Sequence, residues 1–173
     1  LAEWCIRFTP SVAIDLPDGL VLDVTGCSHL WGGDESYLQT ITTRLAGRGY
    51  DVIAAMADTV GAAWATARFG KGSMVVPTGA LHCTMLSLPP ESLRIDVDVV
   101  VRLRKLGLIR VSQLVNIARQ SLRRRFGELL ITRLHQAQGR VEDTIINVQP
   151  VEPYQERLPC LEPIVTATGI EIA

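Results

Sequence analysis

The sequence predicts an α+β fold, in which a mixed sheet with helices on one face is followed by an all-helical half. Three observations support this prediction. β-rich apolar segments flank a turn signal near residue 18, apolar residues recur at helical spacing between later glycines, and the composition changes at Pro89-Pro90. With 173 residues and 47% apolar side chains, the chain is long enough to bury a hydrophobic core.

The first elements are predicted to be the end of a helix over residues 1–8 and then a β-hairpin. Residues 11–16 and 20–24 are rich in β-forming side chains, and the Pro-Asp-Gly sequence between them is a strong turn signal. A helix is predicted next, because Asp34 is a good N-cap and apolar residues follow at helical spacing up to Leu45.

A strand, a helix and a second short strand are predicted to follow. Residues 52–57 are apolar enough for a buried strand, and Asp58 or Thr59 is expected to cap a helix that ends at Gly70. Residues 74–76 are expected to form the second strand. This order of elements after a hairpin predicts helices packed on one face of a mixed sheet.

The second half is predicted to contain only short helices separated by glycines. In the first of them, Val99, Leu103 and Leu106 form one apolar stripe that ends at Gly107. The remaining helices are expected over residues 111–117, 122–126 and 128–138.

We therefore divide the chain into an α+β part over residues 1–86, a helical part over 87–147 and a linker over 148–173. The last part contains four prolines, which favour an extended chain. No apolar run reaches the roughly 18 residues of a membrane span and no secretory signal is recognisable, so a cytoplasmic protein is expected.

The cysteines and histidines do not predict a metal site or a disulfide framework. The four cysteines and three histidines are scattered along the chain, without the close pairs that such sites use. We expect buried or unreactive thiols in a reducing compartment, no metal centre and no cofactor.

Charge is distributed unevenly along the chain, although the net charge is only −1. Residues 86–140 carry eleven basic and four acidic side chains, a net charge of +7. The segments on either side are acidic, with −3 over residues 1–85 and −5 over 141–173. A basic segment between acidic ones predicts a polyanionic partner, and the alternative is a solvated charged helix face.

Asp18 is the candidate metal ligand, yet the residues favour a structural role at the tip of the hairpin turn. Phosphoryl transfer by two metal ions needs several converging carboxylates. Asp15 and Asp23 could join Asp18, but strand alternation places Asp23 opposite the apolar face, where we expect it to accept a hydrogen bond near Thr25. Gly19 offers no ligand and is expected to take a positive φ in the turn. No catalytic residue is predicted.

Residues 107–111 predict a hairpin between two helices, flanked by basic side chains. Backbone amides at the start of the second helix, aided by its dipole, can hold a phosphate oxygen. Arginines on the exposed helix faces extend this surface. The candidate DNA-binding residues are Arg102, Lys105, Gly107, Arg110, Arg119, Arg123 and Arg124.

The stretch Asp18–Gly26 resembles the palm motif of the Y-family translesion DNA polymerases, in which Asp-Glu and two further residues precede Leu-Asp-Val-Thr. Gly19 stands in the place of the glutamate. Residues 57–65 resemble the loop that carries Ala-Pro-Asn-Lys in active members, but the lysine position is apolar or small. Residues 106–127 resemble the helix-hairpin-helix thumb, and residues 138–143 the exit into the little finger. Together these segments are similar to the ImuB-type, catalytically inactive Y-family-like proteins.

This resemblance implies a partial palm over residues 1–86, a thumb over 87–147 and the start of a little finger over 148–173. It implies a non-catalytic accessory protein of damage-induced mutagenesis and translesion synthesis in the SOS response. The implied partners are DNA, an error-prone replicative-type polymerase, a sliding clamp and a RecA-like accessory protein. Active relatives carry a glycine-rich hairpin where this chain has residues 93–95, so weaker DNA binding is expected.

Two other functions remain open at this point. The first is an active translesion polymerase, a DNA-directed DNA polymerase that binds Mg²⁺ with Asp18, Asp23 and an aspartate from an upstream segment. The second is a generic helix-hairpin-helix module that binds DNA without further activity.

Overall fold

The computed structural model of the chain describes residues 1–149. Within this range the fold is α+β and mostly helical, with eight α-helices, two 3₁₀-helices and four short strands. The predicted α+β class is therefore confirmed. Of the proline-containing linker predicted over residues 148–173, the residues from 150 onward lie outside the described range. No helix of the described part is long and apolar enough to cross a membrane.

The first structural unit is the predicted β-hairpin, preceded by the short helix α1 (Ala2–Cys5). Strand β1 (Ser11–Asp15) pairs antiparallel with β2 (Gly19–Asp23). The end of the described chain returns to the outer edge of β1, where Val148 N donates to the carbonyl oxygen of Val12 at 2.7 Å. The hairpin is thus confirmed, with Asp15 opposite Gly19 across the turn.

Helix α2 (Asp34–Ala46) packs on the hairpin and completes the first hydrophobic core. A 3₁₀-helix over Ser28–Trp31 precedes it. Gly33 rather than Asp34 occupies the N-cap, so the predicted cap is off by one residue, and Asp34 lies in the first turn. The Tyr37 hydroxyl donates to the carbonyl oxygen of Phe8 at 2.9 Å, and burial raises the pKa of Tyr37 to about 12.

The predicted single mixed sheet is wrong for the described residues, which contain two separate two-stranded sheets. Strand β3 (Ala55–Met56) pairs in parallel with β4 (Met74–Val75) and not with the hairpin. A cavity of about 1200 Å³ lies between the two sheets and is lined by β2 and by residues 51–60. Because no ladder bridges this cavity, only two residues of the predicted strand over 52–57 are paired.

Helix α3 (Val60–Phe69) begins and ends where the sequence predicted. The Thr59 side chain caps it by accepting a hydrogen bond from Ala62 N at 3.1 Å, and the helix ends before Gly70. Helix α4 (Leu81–Ser87) was not predicted. Only Met85 in it is fully buried, so α4 lacks the apolar periodicity that marks the other helices.

The remaining helices form the predicted all-helical half. They are α5 (Val97–Lys105), α6 (Val111–Val115), α7 (Arg119–Phe126) and α8 (Glu128–Ala137), with a 3₁₀-helix over Pro90–Leu93. Val99 and Leu103 are buried as expected, but Leu106 lies beyond the end of α5 and is 55% exposed. The predicted apolar stripe is therefore one residue too long.

The second hydrophobic core joins α3 and α4 to the helices of the second half. Gly61 on α3 lies against α8, since a Cβ atom at this position would be 3.1 Å from the Cα atom of Ala137. The side chain of Arg94, a residue with φ of 54°, forms an ion pair with Asp143 beyond α8. Helix α3 thus connects the residues near the hairpin turn to the helical half.

Candidate functional site

The hairpin tip carries two carboxylates that are bridged by one arginine. Arg68 Nη2 lies 3.3 Å from Asp15 Oδ2 and 2.7 Å from Asp18 Oδ1. Trp64 Nε1 also donates to Asp15 Oδ2 at 2.7 Å, and the Arg68 guanidinium lies 4.9 Å from the centre of the Trp64 ring. Trp64 and Arg68 reach the tip together because they are four residues apart on one face of α3.

This arrangement keeps the Asp18 carboxylate ionised. The hydrogen bond and the charge of Arg68 lower the pKa of Asp18, and the same contacts raise the pKa of Arg68. The Asp18 side chain is 66% exposed, so this ion pair is screened by water and contributes little net stability. The positive charge between the two carboxylates is therefore supplied by the protein itself.

Gly19 does not adopt the conformation that the turn signal suggested. It is the first residue of β2, and its φ lies outside the positive range, so the expected positive φ is wrong. A Cβ atom here would lie 2.9 Å from Asp15 Oδ2 and 3.1 Å from Arg68 Nη2. A larger residue at position 19 would therefore have to displace the ends of the Asp15 and Arg68 side chains.

Asp23 has the structural role that strand alternation predicted. Its Oδ1 atom accepts a hydrogen bond from Thr25 N at 3.0 Å, and the contacts of Thr25 lower the pKa of Asp23. Asp23 thus closes the turn after β2, away from Asp15 and Asp18. Across residues 1–149, no group of three or more histidine, cysteine, aspartate or glutamate side chains is placed to hold a metal ion.

The hairpin between α5 and α6 forms as predicted, but its backbone amides are already bonded. Gly107 has φ of 75° at the end of α5. The amides of Ile109 and Arg110 donate to Gln113 Oε1 at 2.7 and 3.0 Å, and Val111 N donates to the carbonyl oxygen of Leu88 at 2.9 Å. A phosphate would have to displace these acceptors to reach the three amides, and the basic side chains are the more accessible candidate phosphate ligands.

Two of the candidate DNA-binding residues lie beside Arg125, a basic residue that was not among the candidates. Arg102 and Lys105 on α5 share a groove with Arg125 on α7, and Leu106 and Phe126 complete its lining. Three consecutive arginines at 123–125 point in different directions around a helix. Only the packing of α7 against α5 shows which of them enters the groove.

The other candidate side chains are exposed but are not all brought to this groove. Arg123 forms an ion pair with Glu128, which neutralises part of its charge. Arg119 lies near His135, whose pKa is lowered by burial and then by the charges of Arg119 and Arg140. Arg110 and Arg124 have no carboxylate within ion-pair distance among residues 1–149.

Comparison with known proteins identifies relatives of this chain. No protein-family model matches the chain. Protein ImuB from two strains of Caulobacter vibrioides is 43% identical over 164 residues, which are 95% of this chain. The chain spans 36% of the length of these relatives. The resemblance to the ImuB-type proteins is thereby confirmed, and the chain is a homologue of Protein ImuB.

Proposed function

We propose that the chain is the palm and thumb portion of a non-catalytic, Y-family polymerase-like accessory protein that acts in damage-induced mutagenesis. The observation that carries this proposal is the bridging of Asp15 and Asp18 by Arg68 at the palm-like motif of an ImuB homologue. The chain covers only part of its relatives, so the function concerns the whole protein to which this portion belongs.

The chemistry of the hairpin tip supports the proposed absence of polymerase activity. Two-metal phosphoryl transfer needs carboxylates that converge on the cations. At this tip Gly19 provides no ligand, and a divalent cation would have to displace the Arg68 guanidinium from Asp15 and Asp18. If another segment supplied a further aspartate, a cation would still have to displace Arg68 before it could bind Asp15 and Asp18.

Manganese titration and primer extension test this part of the proposal. Addition of the chain should leave the electron paramagnetic resonance signal of free Mn²⁺ unchanged. The full-length protein should not extend a primer with Mg²⁺ or Mn²⁺. Template-dependent extension that is abolished by Asp18→Asn would contradict the proposal, because a contaminating polymerase would be insensitive to that substitution.

The same proposal assigns duplex DNA binding to the helical half. The support is the charge of +7 over residues 86–140 and the exposure of Arg102, Lys105, Arg110, Arg119 and Arg124. Side chains of this kind contact phosphates without regard to sequence and with strong salt dependence. Gly107 shapes the hairpin, and Arg123 contributes less because it is paired with Glu128.

We also propose that the whole protein scaffolds an error-prone polymerase together with a sliding clamp and a RecA-like protein. The homology to Protein ImuB supports this role, and the partner contacts are assigned to segments outside this chain. In a pull-down with the purified error-prone polymerase, the full-length protein should retain it and the 173-residue chain should not. Equal retention by both would place the contact within this chain instead.

A further inference from the structure

Helices α5 and α7 border a shallow groove with an apolar floor and a cationic rim. Its volume is about 300 Å³, and it is lined by Arg102, Lys105, Leu106, Arg125 and Phe126. Leu106 is 55% exposed and forms the floor together with the largely buried Phe126 ring. The accessible lining of the groove is thus almost wholly apolar, and three cationic side chains border it.

The cations of the rim are available to a ligand. Within residues 1–149, no carboxylate lies at ion-pair distance from Arg102, Lys105 or Arg125. Arg102 is held in place, because its Nη1 atom donates to the carbonyl oxygen of Arg125 at 3.2 Å and its guanidinium carbon lies 5.8 Å from the centre of the Phe126 ring. A guanidinium fixed in this way is preorganised for an anionic partner.

We propose that this groove binds an unpaired nucleotide of single-stranded DNA beside the duplex. The inference rests on the DNA binding proposed above and adds the form of DNA that the groove accepts. The phosphates of a duplex could pair with the three cations. The bases of a duplex are stacked inside the helix, however, so they could not contact the apolar floor of the groove. An unpaired base presents an apolar face that can lie on Leu106 and stack on the Arg102 guanidinium.

The size of the groove agrees with this ligand. Pockets for small molecules range from about 300 to 1,000 Å³, and this groove lies at the lower end of that range. It therefore accommodates one monomer unit of a polymer and is too small for a double helix. The positive rim matches the phosphates that flank such a unit.

The experiment measures the affinity of the whole chain for two fluorescent DNA probes by anisotropy. The probes are an oligothymidine of about 12 nucleotides, within the usual site sizes for single strands, and a blunt duplex of equal length. Leu106→Ser should weaken oligothymidine binding by about fivefold or more and leave duplex binding unchanged. Ile109→Ser is the matched control, because Ile109 is 56% exposed in the same hairpin but does not line the groove.

A second pair of variants tests the rim. Arg125→Gln should weaken oligothymidine binding by a larger factor than Lys71→Gln, which removes an exposed cation far from the groove along the chain. Polyglutamate at the same concentration of charge should not displace the oligothymidine. Efficient displacement would overturn the inference and assign the groove to an acidic peptide.

The possible outcomes separate this inference from the function on which it rests. Duplex binding together with an oligothymidine affinity that Leu106→Ser does not change would overturn only the groove inference. Equal losses for both probes would also overturn it, because the floor would then serve the duplex. Failure of the chain to bind either probe would overturn the proposed DNA binding as well.

Discussion

At the residue scale, local geometry decides the roles of Gly19 and Arg94. Gly19 is explained by contact and not by backbone conformation, since a Cβ atom would meet Asp15 Oδ2 at 2.9 Å. Arg94, in contrast, is explained by its backbone conformation, because it is a non-glycine residue with a left-handed φ of 54°. Such a conformation costs of order 1 kcal/mol or more and persists where neighbouring contacts hold it. The ion pair with Asp143 provides such a contact.

Gly19→Glu should destabilise the chain by about 1 kcal/mol without creating a magnesium site. The new Cβ would press on the Asp15 carboxylate, and the new charge would compete for Arg68 without displacing it. Denaturant unfolding gives the stability, and calorimetric titration with Mg²⁺ gives the binding. Gly19→Ala is the control, because it adds the Cβ atom without a charge. A saturable magnesium site in the glutamate variant would contradict the prediction and show that the hairpin tip still assembles a metal centre.

Asp143→Asn should cost about 2 kcal/mol of unfolding free energy, since breaking one partner of a buried pair leaves the other charge uncompensated. The Asp143 side chain is only 9% exposed and is in ion-pair contact with Arg94 and with Arg133, the latter at 3.5 Å. Urea unfolding measures the loss.

The neighbouring Glu142→Gln is the control for this change, because Glu142 is exposed and should shift stability by less than about 0.5 kcal/mol. Equal effects of the two variants would mean that Asp143 does not hold the segment after α8 to Arg94.

At the element scale, the hairpin between α5 and α6 is closed by one side chain. Gln113 Oε1 accepts from the amides of Ile109 and Arg110, which would otherwise be unbonded donors at the start of α6. Helix α6 has only five residues, so this cap accounts for a large share of its local stability. A phosphate would have to displace Gln113 to reach these two amides.

Gln113→Ala should destabilise the chain by about 1 kcal/mol, the usual cost of losing an N-terminal cap. The change should also increase hydrogen exchange at Ile109 and Arg110, because their amides lose the Gln113 acceptor. Gln113→Glu keeps an acceptor at the same position and should restore protection. Unchanged exchange in the alanine variant would show that these amides are protected by something other than Gln113.

At the scale of the whole molecule, the boundary of the basic segment does not coincide with the boundary of the second hydrophobic core. The basic segment covers residues 86–140, whereas the second hydrophobic core already includes α3 and α4 before it. The Asp15–Arg68–Asp18 cluster at the hairpin tip and the basic helices are therefore connected through α3. The groove between α5 and α7 is framed by helices of that shared core.

Replacing Lys105, Arg110 and Arg124 together by alanine should flatten the salt dependence of duplex binding. If each side chain neutralises one phosphate, the slope of log affinity against log salt should fall by about 2.7 in magnitude. Anisotropy titrations at several salt concentrations measure the slope.

The control is a second triple variant in which Arg7, Arg48 and Lys71 are changed to glutamine, so that the net charge changes equally outside the basic segment. It should leave the slope nearly unchanged. Equal slopes for both triple variants would indicate that net charge alone, and not the basic segment, attracts DNA.

The sequence by itself determined the hairpin, the capped helix after Thr59, the all-helical second half and the family resemblance. These features depend on turn residues, caps and periodicity within a few positions, which act through local backbone preferences. Only the tertiary structure decided that the strands form two sheets, that Arg68 lies between Asp15 and Asp18, and that Arg125 faces Arg102. The pairing of β3 with β4 joins residues 19 positions apart, and the Arg68 and Arg102 contacts join residues at least 23 positions apart. Contacts over such separations depend on how the helices pack, and no local pattern records that packing.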